Sequence, residues 1–277
     1  MKYGKKFTLG FLPTLLVLVA MLVTACGSPA APQSGQKAPT NQQHLRIAFS
    51  GGSGGADIAT FDPAQAGDLY SSQAIQLVFT GLVQLNDQLQ IKPQLASSWN
   101  NSGTTWTFHL KPNLKFSDGS ALTANDVAYS INRALSPPIN NLSGGLAGTY
   151  LGLIKDAPAF LAGGAGAPTT LIGDSIIVKD ASTIQLILSH NTGYFLDALA
   201  YPTSFVVEKS VVEKYGVSKW TDHLADNGGQ GGDGPFKVLS YSHSTGIKFV
   251  PNPNYYGDQP AMQEVDFNFY KTVNTEF

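Results

Sequence analysis

Apolar and polar residues alternate in several short stretches of this chain, and this pattern predicts half-buried β-strands. Residues 45–49, 105–110 and 265–270 alternate most clearly, and shorter strands are expected at 82–85 and 205–207. Two further pairs of apolar stretches are each joined by a few polar residues, which predicts β-hairpins. The paired stretches are residues 175–178 with 183–188, and 236–241 with 247–250.

Helix signals lie between these strands. Residues 71–79 place apolar side chains on one face, with Ser71 or Ser72 as the expected N-cap. Thr123 followed by Asp126 is typical of a capping box, and Pro137 with Pro138 is expected to stop the helix that begins there. Shorter helices are predicted at 157–161, 194–199 and 210–215 within glycine-rich surroundings. The interleaved elements indicate a mixed α/β (α+β) fold.

The N-terminus has the organisation of a secretory signal. Three lysines precede an apolar run over residues 8–23, and small residues then lead to Cys26, the only cysteine. This arrangement resembles the bacterial lipobox, so we expect residues 1–25 to be removed and Cys26 to be acylated, which anchors the protein on the outer face of a membrane. The alternative is a plain signal peptide or anchor helix with a cysteine there by chance.

Composition and charge exclude some kinds of binding partner. Residues 26–44 are rich in Gly, Ser, Pro, Ala and Gln and predict a disordered tether. Removing residues 1–25 takes away three lysines and leaves a net charge of about −5. That charge argues against nucleic acid as a partner and against membrane binding by charge alone. A single cysteine also excludes an intramolecular disulfide.

Two glycine-rich stretches match catalytic or cofactor motifs only superficially. Ser53 lies in a G-x-S-x-G match, but the Phe61-Asp62-Pro63 stretch that follows is unsuited to the helix of a nucleophile elbow. Residues 229–234 match G-x-G-x-x-G, yet a strand rather than a helix is predicted after them. The five histidines are scattered without a His or Cys at ligand spacing. We therefore expect no catalytic set, no metal site and no cofactor.

Five stretches together resemble the family 5 extracellular solute-binding proteins. They are residues 92–99, 105–111, 115–127, 232–238 and 252–257. This family contains the oligopeptide, dipeptide and nickel receptors of ABC importers. Within these stretches, Asp233 and Tyr256 stand where the family usually has Thr and Trp.

The resemblance implies a two-lobe fold like that of type II periplasmic binding proteins. It divides the chain into lobe I (45–85 and 191–270), an inserted small domain (86–190) and the start of lobe II (271–277). Because family members are much longer, we expect a chain truncated on its C-terminal side and lacking lobe II. The acidic residue that binds the peptide amine in the family lies in lobe II, and no position here inherits it.

The implied function is capture of an extracytoplasmic solute, with an oligopeptide expected, and its delivery to an ABC permease by lobe closure. Two alternatives remain: a surface lipoprotein hydrolase that uses Ser53, and an adhesin or chaperone lipoprotein on the same scaffold. The candidate ligand contacts are loop residues and aromatic side chains of lobe I: Ser50, Gly51, Gly52, Tyr201, Gly232, Asp233, Gly234, Phe236, Tyr255 and Tyr256.

Overall fold

The computed structural model describes residue 39 and residues 42–50, 57–142 and 144–271. The predicted signal peptide, the predicted acylation site Cys26, most of the predicted tether, the glycine-rich stretch with Gly51, Gly52 and Ser53, and residues 272–277 of the predicted start of lobe II lie outside these ranges. No helix within the described ranges is both long and apolar enough to cross a bilayer.

The strands group into three sheets. In chain order they are β1 (His44–Ser50), β2 (Val83–Leu85), β3 (Ile91–Pro93), β4 (Ala96–Ser102), β5 (Thr105–Leu110), β6 (Ile176–Asp180), β7 (Thr183–Ile187), β8 (Phe236–Ser242), β9 (Gly246–Pro251) and β10 (Glu264–Tyr270).

Within the described ranges, seven α-helices lie between these strands, together with short 3-10 turns. The helices are α1 (Leu69–Val78), α2 (Ala124–Ala134), α3 (Pro137–Leu142), α4 (Leu146–Leu151), α5 (Ala157–Ala162), α6 (Phe195–Leu199) and α7 (Lys209–Tyr215).

The first sheet joins the two ends of the described chain. Its strand order is β1-β10-β9-β8, and β1 runs parallel to β10, so that His44 pairs with Glu264 and Ser50 with Tyr270. The second sheet, β4-β5-β7-β6, is antiparallel throughout, and among the described strands β2 pairs only with β3. Two parallel neighbouring strands need a crossover connection. Here the connection from β1 to β10 is the whole segment between these strands, and it includes the second sheet.

Two hydrophobic cores follow from these sheets. One core packs the second sheet against α2 and contains the buried side chains of Phe108, Ile131 and Phe195. The other packs the first sheet against α1 and contains Ile75, Phe249 and Phe267 together with Trp220. Each sheet therefore buries one apolar face against helices, as a layered α/β fold requires.

Local sequence signals predicted several elements correctly. Thr123 and Asp126 form the expected capping box at the start of α2. The Thr123 side chain accepts the backbone N–H of Asp126, and the Asp126 side chain accepts the backbone N–H of Thr123. Both hairpins, β6–β7 and β8–β9, are present, and β1, β5 and β10 lie where alternation placed them. Gly216, with a φ of 84°, ends α7 as predicted.

Two predictions were wrong in detail. Helix α1 begins at Leu69 rather than Ser71, because the carboxylate of Asp68 caps it by accepting the Ser71 N–H at 2.9 Å. Residues 205–207 do not form a strand. Their N–H groups form hydrogen bonds that do not belong to a β-sheet. The Val206 N–H donates to the Thr80 carbonyl at 2.8 Å, and the Val207 N–H donates to the Ser130 hydroxyl at 2.9 Å.

Sequence reasoning also missed four elements. Strands β3 and β4 carry mostly polar, exposed residues and so lack a clear apolar alternation. Helices α3 and α4 are short, with six residues each, and lie in a stretch that was predicted to be mostly loop. Pro137 does follow the end of α2, but it also starts α3, where its fixed φ suits the first helical turn.

Candidate functional site

Residues 232–234, just before β8, pack closely against the C-terminal end of α1. The Val78 carbonyl accepts the N–H of Asp233 at 3.0 Å and that of Gly234 at 2.8 Å. A Cβ built on Gly232 would collide with this same carbonyl oxygen. The glycines on both sides of Asp233 are therefore needed for the close approach of two backbones.

Asp233 itself is enclosed by the protein. Its carboxylate accepts the Thr80 N–H at 2.9 Å and also the Thr80 hydroxyl, and the side chain has no exposed surface. Among the described residues no cation pairs with it, so burial raises the pKa of Asp233 to about 7. The carboxyl group thus ties residues 232–234 to the segment that follows α1.

Tyr256 packs beside this contact between residues 232–234 and the end of α1. Lys111 places its Nζ 4.6 Å from the centre of the Tyr256 ring, and the Tyr255 ring centre lies 4.6 Å from it. The Tyr256 hydroxyl is buried without a hydrogen-bond partner among the described residues. Burial, with smaller contributions from Tyr255 and the Asp233 carboxylate, raises the pKa of Tyr256 well above its usual value. The two departures from the family pattern, Asp233 and Tyr256, are therefore close in space.

Four of the five family-like stretches converge here, since Lys111 of the stretch 105–111 contacts the Tyr256 ring. Ser117 donates its N–H to the Gly232 carbonyl at 2.8 Å, and Asn254 donates from Nδ2 to the Ser117 carbonyl at 3.1 Å. Asn252 completes the connection by donating from Nδ2 to the Gly234 carbonyl at 2.8 Å. These contacts give the motif residues a structural role in joining the second sheet's domain to the first sheet.

The C-terminal edge of β1 is a separate location. Ser50 is half-buried, and its carbonyl accepts the Tyr70 hydroxyl at 3.4 Å. At the same end of the sheet, but on the opposite edge strand β8, the Tyr241 hydroxyl donates to Asp57 Oδ1 at 3.1 Å, and His243 Nδ1 lies 2.9 Å from Asp57 Oδ2. Burial and the Asp57 carboxylate raise the pKa of Tyr241. Sequence reasoning missed Asp57, Tyr241 and His243, because nothing local shows that residues 184 or more positions apart meet.

A polar pocket of about 230 Å³ opens beside this edge. Tyr241, His243 and Asp222 contribute to its lining, and the buried Asp62 closes its inner side. Asp62 is held by both terminal nitrogens of Arg133, at 2.9 and 2.5 Å, in a pair that is almost wholly buried. Within the described ranges no group of His, Cys, Asp and Glu is arranged to hold a metal ion.

The remaining candidates lie elsewhere. Phe236 is buried at the start of β8 and lines an apolar groove of about 480 Å³ along β1 and β10. Tyr201 is half-buried and stacks on Tyr150, with ring centres 3.9 Å apart. The structure thus distributes the eight described candidates over separate locations, and Gly51 and Gly52 lie outside the described residues. The role of all ten as ligand contacts stays a prediction.

Comparison with known proteins identifies the family. Residues 90–277 match the family model described as bacterial extracellular solute-binding proteins, family 5 Middle. The periplasmic oligopeptide-binding protein OppA of Salmonella typhimurium is 28% identical over 249 residues, which cover 89% of this chain and 42% of that protein. The periplasmic murein peptide-binding protein MppA of Escherichia coli is 31% identical over 211 residues, covering 76% and 37%.

Solved structures agree. The Escherichia coli murein tripeptide binding protein MppA matches with a TM-score of 0.69 at 28% identity, over 81% of this chain and 41% of that one. A periplasmic oligopeptide-binding protein of Borrelia burgdorferi matches with a TM-score of 0.68 at 27% identity, over 83% and 44%. The chain spans about two fifths of the length of these relatives. It belongs to the family 5 bacterial extracellular solute-binding proteins and has part of the type II periplasmic-binding-protein fold.

Proposed function

We propose that this protein captures short peptides outside the cytoplasmic membrane and delivers them to the permease of an ABC importer. The observation that carries the proposal is the family match over residues 90–277. The relatives support a peptide as the solute, since they are named as oligopeptide-binding and murein peptide-binding proteins. Binding and release, rather than chemistry, is the proposed role, so the protein is not an enzyme.

Capture uses closure of two lobes, one of which is built on the first sheet. A closed, ligand-bound form that differs from the open form gives the permease a state to recognise. We propose the boundaries 45–85 and 191–270 for lobe I, 86–190 for the inserted domain, and 271–277 for the start of lobe II. The parallel pairing of β1 with β10 supports this division, because it brings the first and last lobe I segments into one sheet.

The C-terminal edge of β1 is where we place the ligand contacts of lobe I. Ser50 is the last residue of β1, and the sequence continues with Gly51 and Gly52. Glycine is the residue type that lets a peptide backbone approach most closely. Main-chain hydrogen bonds of the strand-addition type would hold a peptide without regard to its sequence. The burial of Asp233 and its neighbouring glycines favours a structural role for them over direct contact with a ligand.

Anchoring is proposed to depend on a lipid at Cys26. A diacylated cysteine followed by the polar tether 26–44 would hold the folded part outside the membrane, where a permease operates. Two acyl chains are needed for stable anchoring, since a single chain binds membranes only marginally.

Peptide uptake by cells tests the function. Cells lacking the gene should import radiolabelled trialanine more slowly than wild-type cells, and the restored gene should recover the rate. Uptake of a labelled free amino acid, which needs no peptide receptor, serves as the control. Equal trialanine uptake with and without the gene would contradict a role in peptide import.

A further inference from the structure

A cavity of about 330 Å³ lies between α1, β2 and the segment around residues 200–205, away from the edge where β1 ends. Phe79 and Phe205, both buried, form its apolar part, and Tyr201 forms one wall. Three glutamines, Gln76, Gln84 and Gln94, also line it. Since no Asp, Glu, Lys, Arg or His contributes to this lining, we call it the amide pocket.

Gln94 supplies an oriented donor to the amide pocket. Its side chain is 9% exposed, and its Oε1 accepts the Gly81 N–H at 2.8 Å. That bond fixes which end of the amide is oxygen and leaves the Nε2 group without a partner among the described residues. A ligand oxygen in the pocket could accept a hydrogen bond from this oriented donor.

The other two glutamines are exposed and adaptable. Gln76 projects from α1 and Gln84 from β2, and neither side chain is bonded to another described residue. Each amide can donate and accept at the same time. Together with Gln94 they give the pocket a rim that suits groups which also donate and accept, above all hydroxyls.

The aromatic wall is rigid before any ligand arrives. The Tyr201 and Tyr150 rings are nearly parallel, at 14°, with centres 3.9 Å apart. The Tyr201 hydroxyl donates to the Ala66 carbonyl at 3.1 Å, which holds the ring at its other end. A wall fixed in this way loses little side-chain freedom on binding, so ordering it does not reduce affinity.

The chemistry of the lining selects among ligand classes. A free peptide carries charged termini, and the amide pocket has no ionised group to pair with them. A pure hydrocarbon would bury the glutamine amides without hydrogen bonds. A sugar ring has hydroxyls for the amides and an apolar C–H face for the aromatic wall, and a pocket near 300 Å³ is at the small end of ligand sites, about the size for one ring.

We propose that the amide pocket is a second binding site, for a neutral sugar ring, independent of the peptide site. Its recognition uses Gln84 and Gln94 as hydrogen-bonding partners and Tyr201 as the stacking wall. A site with so few polar contacts and one ring to bind would have a dissociation constant of about 1 mM.

Saturation-transfer NMR with the methyl glycosides of glucose and N-acetylglucosamine tests this proposal. At about 5 mM sugar, at least one of the two should receive saturation from the protein. Gln84→Leu and Gln94→Leu should each weaken binding by about threefold to tenfold, the effect of one hydrogen bond. Gln88→Leu is the matched control, because Gln88 is exposed in the β2–β3 turn and does not line the pocket.

Gln94→Leu also removes the acceptor for Gly81, so its thermal melting must be compared with that of the parent protein. Gln84→Leu removes no side-chain bond and keeps the test valid if Gln94→Leu unfolds. No saturation transfer to either sugar, or transfer that persists unchanged in Gln84→Leu, would overturn the proposal. Trialanine binding measured in the same samples reports on the peptide site separately.

Discussion

Asp233 and Thr80 are 153 residues apart in the chain, yet the carboxylate of one accepts both the N–H and the hydroxyl of the other. Thr80 lies between Phe79, which belongs to the core beneath the first sheet, and Leu82, which belongs to the core of the second. The pair therefore joins the two cores where they meet, in a place closed to solvent.

The titration of Asp233 should make stability depend on pH. Its pKa of about 7 in the folded protein lies above its ordinary value of 3.8, so the folded state holds the proton more tightly. Stability from this group is full below about pH 4 and is lost as the pH rises through about 7. The full difference corresponds to about 4 kcal/mol.

Urea unfolding at about pH 5 and about pH 8 measures this effect. Asp233→Asn should remove most of the difference between the two conditions, because asparagine does not ionise but still accepts the Thr80 N–H. Asp258→Asn, at an exposed position, is the control and should change little. An equal loss of stability with pH in the parent and in Asp233→Asn would contradict this account.

Gly232→Ala should destabilise the protein strongly. The added methyl group would collide with the Val78 carbonyl oxygen. The methyl group is fixed to the backbone of residue 232 and the oxygen belongs to the backbone of α1, so the collision is relieved only if the two backbones move apart. A loss of about 3 kcal/mol or more is expected in urea unfolding. Gly193→Ala, where a Cβ meets open space, should be nearly neutral. Equal stability of the two variants would show that the close approach is not required.

Arg133→Met should leave the Asp62 carboxylate buried without its cation. Removal of one partner from a buried ion pair costs about 3–5 kcal/mol, and we expect that loss in the free energy of unfolding. The exposed pair of Lys209 and Glu213 provides the comparison, since Lys209→Met should have a much smaller effect. If Arg133→Met were as mild as Lys209→Met, the buried pair would not stabilise the fold.

Cys26→Ser should release the protein from the membrane. The net negative charge of the folded part gives no attraction to an anionic membrane surface, so the proposed anchoring depends on the acyl chains. Fractionation should find the variant in the medium or unprocessed, and palmitate labelling should disappear. Unchanged labelling in the variant would place the lipid elsewhere or exclude it.

Elements whose signals are local were predictable from the sequence. The capping box of Thr123 and Asp126 lies within four residues, and each hairpin is closed by a short turn. The predicted start of helix α1 was two residues too late, because Ser71 and Asp68 are both good N-cap residues. Only the structure shows that Asp68 accepts the free N–H. Strand β4 was missed because its exposed polar residues hide the alternation.

Features of the candidate site depend on distant contacts and could not be derived in this way. The glycine-flanked Asp233 is typical of an exposed loop until Val78 and Thr80 are known to enclose it. The stacking of Tyr201 on Tyr150 and the meeting of Asp57 with His243 likewise depend on tertiary packing. The family resemblance identified the fold because five stretches in the same order carry information that no single stretch holds.

The most direct test of peptide capture is an NMR titration of the ¹⁵N-labelled protein with trialanine. The chain spans about two fifths of its relatives' length, and two-lobe receptors divide their contacts, so we expect weak binding, with a dissociation constant of about 100 μM or more. Shift changes should be confined to the edge of the first sheet, around Ser50, Tyr241 and His243. No shift change at about 10 mM peptide, or changes centred on another face, would contradict the proposed site and function.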